Sequence, residues 1–234
     1  MKQNLFSRSL RSFFALSTFI FSLSVISGCD EDQNNPISPA ATSYLSVTHS
    51  SPNAPNVDIY FGSTIVASDV PYMNTLQYKS VTGNSVVNLK INVTGTSTTV
   101  IDTAIYCQDG KSYSVFAYDS VSKIKPLVLT DDLTSPGSIN ANVRFIHLSP
   151  NGPTVDVGVT GKTQAWFPFY SFSQYSNFRA VTGGTYTDLN VFLAGTTNLI
   201  YSRPNVTFTA GKIYTIVADG FAGSSFGISI YPNN

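Results

Sequence analysis

The stretch HSSPNAPNVD, His49–Asp58, returns as HLSPNGPTVD at His147–Asp156, 98 residues on. The shared spelling is His-x-Ser-Pro-Asn-x-Pro-x-Val-Asp. A repeat of that length is domain-sized, so it predicts two tandem domains rather than a solenoid of small units. Other landmarks recur in the same order. Val81-Thr82-Gly83 matches Val181-Thr182-Gly183, and Gly110-Lys111-Ser112-Tyr113 matches Gly211-Lys212-Ile213-Tyr214. Val70-Pro71-Tyr72 aligns with Phe167-Pro168-Phe169, and Tyr78 with Tyr175. Turn residues cluster at the junction, TDDLTSPGSIN, Thr130–Asn140. The organisation predicted is a leader at 1–28, a lipidated residue and tether at 29–43, and two repeats at 44–131 and 139–234.

Short runs of β-branched and aromatic residues fill each repeat, separated by Gly, Pro, Asn and Asp. In the first they are Tyr44–His49, Val57–Phe61, Thr64–Ala67, Leu76–Val81, Val86–Val93, Thr98–Cys107, Lys111–Tyr118 and Lys125–Leu129. No segment after the leader carries a 3.6-residue apolar period. Seven or eight strands in about 90 residues predict an all-β chain of two immunoglobulin-like sandwiches. Gly-Lys-x-Tyr ahead of an alternating strand marks a tyrosine corner at Tyr113 and Tyr214.

The repeated His and Asp invite a catalytic reading, and strand periodicity argues against it. Leu45, Val47 and His49 share one strand face, as do Val143, Phe145 and His147, so each imidazole sits at the inner edge of its sandwich. Asp58 and Asp156 point away from Val57 and Ile59, and from Val155 and Val157. A buried imidazole needs a backbone partner, and no nucleophile or third ligand stands beside either His. One His and one Asp per repeat also fall short of a zinc site. Gly223-Ser224-Ser225-Phe226-Gly227 spells a nucleophile elbow, but no Asp, Glu or His follows it. No cofactor is expected.

The motif set resembles the bacterial domain of unknown function 4397: His-x-Ser-Pro-x-x-Pro-x-Val-Asp, then a Pro-aromatic pair, then Gly-Lys-x-Tyr. The resemblance covers about Tyr44 to the end. It implies an immunoglobulin-like sandwich, often in tandem on secreted proteins and lipoproteins, and no activity, cofactor or site. The second repeat departs in having Gly158 where the first has Tyr60.

The amino terminus reads as a secretory signal: Lys2, Arg8 and Arg11, then an apolar run from about Phe13 to Ile26, too short to span a bilayer. Ile26-Ser27-Gly28-Cys29 resembles the bacterial lipoprotein box, which implies that Cys29 becomes a lipidated first residue. Asp30-Glu31-Asp32 follows. An acidic residue there resembles an inner-membrane retention signal in some bacteria and a surface-export signal in others; the Asn, Ser, Thr, Tyr and Phe richness favours the outer membrane and the cell surface. Gln33–Ser43 reads as a flexible tether. Beyond the first 28 residues the chain has 10 Lys and Arg against 13 Asp and Glu. That sparse, slightly acidic balance speaks against nucleic acid. The lipid is the expected membrane contact, and Cys107 is left without a disulfide partner.

One segment is richer in aromatics than the fold requires: AWFPFYSFSQYSNF, Ala165–Phe178. Trp166, Tyr170, Phe172 and Phe178 are candidates for a ligand platform, or else for packing at the seam between the domains. The function expected is non-catalytic: an envelope-anchored surface binding, adhesion or spacer module, with a possible protein or glycan ligand. Glycan recognition through residues 165–178 is the alternative, and a hydrolase using His49 or His147 stands behind both. Replacing the lipid-bearing residue, Cys29→Ser, is expected to move the protein from the membrane to the soluble fraction. Fractionation after a salt wash checks it, and a variant that stays with the membrane defeats the lipoprotein reading.

Overall fold

The computed structural model describes residues 40–161 and 164–234. The predicted leader, Cys29 and most of the predicted tether lie outside them. The first sandwich holds β1 (Thr42–Ser50), β2 (Val57–Phe61), β3 (Thr64–Val70), β4 (Thr75–Thr82), β5 (Ser85–Val93), β6 (Thr99–Cys107), β7 (Ser112–Tyr118) and β8 (Lys125–Asp131). The second holds β9 (Asn140–His147), β10 (Val155–Val159), β11 (Phe167–Tyr170), β12 (Arg179–Thr182), β13 (Gly184–Leu193), β14 (Leu199–Phe208), β15 (Ile213–Asp219) and β16 (Gly227–Pro232). One 3-10 turn, Val121–Lys123, precedes β8.

Each sandwich pairs two four-stranded sheets, ordered β4-β1-β7-β8 over β3-β2-β5-β6, and β12-β9-β15-β16 over β11-β10-β13-β14. The all-β tandem architecture is the one expected. The order has a feature of its own: the opening strand is central, antiparallel to β4 and parallel to β7, and β9 repeats this against β12 and β15. Alternation places the cores. Leu45, Val47, Ile59, Leu89, Ile91 and Val115 are fully enclosed in the first; Val143, Phe145, Val157, Leu189 and Ile216 are in the second.

A third apolar cluster joins the two. Phe116, Tyr118 and Leu129 of the first sandwich meet Ile146, Leu148 and Val217 of the second. These side chains stand on the outer faces of the sheets containing β1 and β9, so both faces of β1, β7, β9 and β15 are buried. Even the polar outward residues Ser46, Thr48 and Ser50 are no more than 5% exposed. A ring of hydrogen bonds crosses this seam. Arg144 donates from Nη1 to Asp131 at 2.5 Å and from Nε to Thr215 at 2.8 Å. Thr215 donates to Asn233 at 2.8 Å, and Asn233 donates to the Tyr78 hydroxyl at 3.1 Å. Tyr78 and Ser114 both donate back to Asp131. Burial, with the Asp131 carboxylate beside it, pushes the Tyr78 hydroxyl up to about 12.

The seam uses equivalent positions on both sides. Tyr72 accepts from Gly220 N–H at 2.9 Å, and its counterpart Phe172 packs on Tyr118 with ring centroids 5.7 Å apart. The Arg144–Asp131 pair has side-chain exposures of 3% and 0%. Removing one partner strands a buried charge, which costs about 3–5 kcal/mol. Asp131→Ala is therefore expected to lose that much in urea denaturation, while Asp132→Ala, at the exposed next position, stays within about 0.5 kcal/mol of the parent.

Candidate functional site

The repeated motif closes one end of each sandwich. His49 leaves the end of β1 with 1% exposure, and the prolines that follow turn the chain back toward it. Its Nε2–H donates to the Pro55 carbonyl at 3.0 Å, while Nδ1 accepts from Ser51 N–H at 3.4 Å. The carbonyl requires a proton on Nε2 and the Ser51 N–H requires a lone pair on Nδ1, which together fix the neutral tautomer. His147 donates likewise to the Pro153 carbonyl at 2.9 Å. Each imidazole thus laces its own loop six residues ahead.

The Asp at the far end of the motif ties a strand bulge to another loop. Asp58 accepts from Asp69 N–H at 2.9 Å, Thr94 hydroxyl at 3.1 Å and Gly95 N–H at 3.3 Å. Asp156 accepts from Phe169 N–H at 2.7 Å and Gly195 N–H at 2.8 Å. The backbone donors are matched: Asp69 and Phe169 are left-handed at φ 54° and 61°, Gly95 and Gly195 at 71° and 72°. The carboxylate so pins the bulge in β3 or β11 to the turn between β5 and β6 or between β13 and β14. These donors hold Asp58 below the usual carboxylate range, the Asp69 N–H contributing most.

The central Asn was given no role from sequence, although the motif spells it. Asn53 accepts from Val121 N–H at 2.8 Å. Asn151 accepts from Ala222 N–H at 2.7 Å and returns a bond to the Ala222 carbonyl at 3.3 Å. Asn53 and Asn151 reach the loops after β7 and β15. One ten-residue motif therefore fastens three loops and a strand bulge in each sandwich. No His–Asp bond forms; every partner named is backbone of a loop or of a strand bulge, apart from the Thr94 hydroxyl. Among the described residues no three His, Cys, Asp or Glu side chains gather as a metal site.

The tyrosine corners sit on the neighbouring connections. The Tyr113 hydroxyl accepts from Gln108 N–H at 3.0 Å, and Tyr214 from Thr209 N–H at 3.1 Å. Cys107 is fully enclosed and burial pushes its thiol up, the state of a packed, unreactive sulfur.

The aromatic segment needs a correction of register. Val57 pairs with Val70 and Val155 with Tyr170, so residues equivalent in the sandwiches are here 100 apart. Tyr78 corresponds to Phe178, not Tyr175, and Phe172 has an aromatic counterpart in Tyr72. The Pro-aromatic pair misled because the connection from β10 to β11 is longer than the tight turn at Gly62. Gly158 makes room for that connection: a Cβ there would lie 3.2 Å from the Ala165 Cα. Trp166, at 8% exposure, is in the core, edge-on to Tyr186 at 5.1 Å and 5.9 Å from Phe208. Tyr170 packs edge-on to Phe145, Phe172 lies in the seam, and Phe178 covers the Arg144 guanidinium at 4.6 Å. The exposure expected of a platform is found instead at Phe169, 64%, and Tyr175, 49%.

Residues 43–158 match the family model of DUF4397, a domain of unknown function. The DUF4397 match begins in β1, runs through the first sandwich and ends in β10, taking in both His-to-Asp motifs. Among solved structures, the C-terminal domain of AlgF from P. aeruginosa is similar at 16% identity, over 40% of this chain and 97% of that one, with a TM-score of 0.32. CBMbc, of family CBM26, from Eubacterium rectale Amy13K in complex with maltoheptaose is similar at 9% identity, over 81% and 96%, with a TM-score of 0.25. No curated protein matches.

Burial holds both imidazoles below the usual histidine range, the proline carbonyls opposing it more weakly. A depressed folded-state value means that the unfolded chain takes up protons first. The stability is present above about pH 6.5 and is lost as pH falls through that value toward the folded pKa. His49→Gln and His147→Gln are each expected to cost about 1–3 kcal/mol at neutral pH. The double variant should also show a shallower fall in melting temperature between about pH 7.5 and pH 5 than the parent. Calorimetry across that range checks both.

Proposed function

We propose that this chain is a non-catalytic module of the cell envelope, anchored by lipid at Cys29 and held on the cell surface, which binds a ligand or spaces a partner from the membrane. The observation that carries the reading is the fate of the motif. Its His, Asn and Asp side chains, the groups best suited to chemistry, are all engaged in lacing loops. With Nε2–H donated to a proline carbonyl, the basic nitrogen of each ring is Nδ1. That of His49 already accepts from Ser51 N–H, and that of His147, though without a partner, is enclosed at 0% exposure, so the hydrolase reading has no accessible base to start from. What the motif offers is rigidity, three loops and a bulge tied in each sandwich, and the seam adds a core of its own.

Such a body suits presentation of a fixed surface, since a preorganised site spends less on ordering when it binds. Glycan recognition stays in second place, favoured by the exposed rings of Phe169 and Tyr175. The surface assignment rests on the acidic run behind Cys29. Protease added to intact cells is expected to digest the protein. Replacing Asp30, Glu31 and Asp32 together by Ala should leave it membrane-bound and protected. Digestion unaffected by that replacement would remove the acidic run as the export signal, and protection of the parent would end the surface reading.

A further inference from the structure

Where the ring of hydrogen bonds reaches the side of the seam, a cleft of about 490 Å³ opens between the two sandwiches. One wall is the edge strand β8 and the residue after it, with Thr130 and Asp132. The other is the segment leading into β12, with Tyr175, Asn177 and Phe178. Arg144 is the floor. Its Nη1 and Nε are committed to Asp131 and Thr215, but its Nη2 is buried and has no hydrogen-bond partner. A buried donor left without an acceptor is costly, and in a cleft it is a place for a ligand oxygen. The Tyr175 ring stands half exposed at the mouth.

We propose that this cleft binds a neutral sugar unit of a glycan. This rests on the binding reading above and gives it a place. The chemistry selects the class. An aromatic ring half open to water offers an apolar face for the C–H side of a pyranose, and hydroxyls around that side meet Thr130, Asn177 and Asp132. A hydroxyl reaches Nη2 when the Phe178 ring over the guanidinium turns aside, and it then supplies the acceptor that Nη2 lacks. Charge favours neutral over acidic sugars. The Arg144 cation is already matched by Asp131, and the Thr134 hydroxyl and N–H, with Lys111 contributing less, hold the Asp132 carboxyl below its usual range. A uronate or sulfated sugar would bring a further negative charge against that carboxylate.

The equivalent positions explain why the cleft forms on one side of the seam. At the matching place across it, Tyr78 stands where Phe178 does, and its hydroxyl closes the gap by accepting from Asn233. Phe178 has no hydroxyl, so nothing closes this side.

Full-length protein titrated with neutral hexose oligosaccharides, uronate oligosaccharides of equal length and an extended hydrophobic peptide tests this, read by ligand-observed NMR. Neutral oligosaccharides should bind, and Tyr175→Ala should weaken them about tenfold, the loss of one aromatic stacking contact, with an unchanged melting temperature. Phe169→Ala, an exposed aromatic outside the cleft, should leave binding intact. Neutral sugar binding that survives Tyr175→Ala but not Phe169→Ala would overturn the cleft and keep the binding module. Preference for uronates, or for the peptide along β8, would overturn the ligand class. Failure of the intact protein to bind any of the three at millimolar concentration would overturn the site and leave the spacer reading in front.

Discussion

A cation and a carboxylate sealed from water hold the two halves of this protein to one geometry. Arg144 and Asp131 come from different sandwiches and neither side chain is exposed by more than 3%. Such a pair is weak evidence for stability in itself, because desolvation offsets most of the attraction. Its effect is on specificity. A slip of the seam by one strand position would leave both charges buried and unmatched, whereas the apolar rings of Phe116, Tyr118, Ile146 and Val217 would tolerate several arrangements. The ring through Tyr78, Ser114, Thr215 and Asn233 spreads the same requirement over both faces.

That requirement reaches back into the fold. Four strands, β1, β7, β9 and β15, are covered on both sides, the condition more familiar in parallel sheets. In each sandwich the buried pair is also the parallel pair, β1 with β7 and β9 with β15. Their sequences carry the mark toward the C-terminal ends, where VFAY of β7, FI of β9 and IVA of β15 run apolar after the alternation of a half-buried strand. The opposite sheets keep an outer face in water, with Tyr60 and Lys90 in a cation–π contact there.

The loop clamps depend on the same economy. Left-handed residues such as Asp69 and Phe169 hold strained backbone at the bulges, and an Asp carboxylate aimed at their N–H groups offsets it. Ordinary carboxylate hydrogen bonds suffice, since each Asp gathers its donors from a bulge and a turn at once. Both ends of the motif therefore act locally, while the seam acts between domains. The cleft beside Arg144 lies where the seam is not completed by a hydroxyl.

Periodicity and turn chemistry were enough to read the strands, the inward phase of His49 and His147, and the all-β tandem architecture from the sequence. These features depend on neighbours along the chain. The tyrosine positions could be read for the same reason: each hydroxyl meets a backbone group five residues upstream. Tertiary structure decided the rest. Which loops Asn53 and Asp58 bind depends on partners 68, 11 and 37 residues away. The register of residues 165–178 turned on the length of one connection, and landmark matching slipped there by three. The seam was visible only as unspent hydrophobicity in β7, β9 and β15, because a side chain on an outward face does not say what will cover it. Arg144 in a buried strand was the local hint, a charge whose partner 13 residues earlier belongs to the other domain.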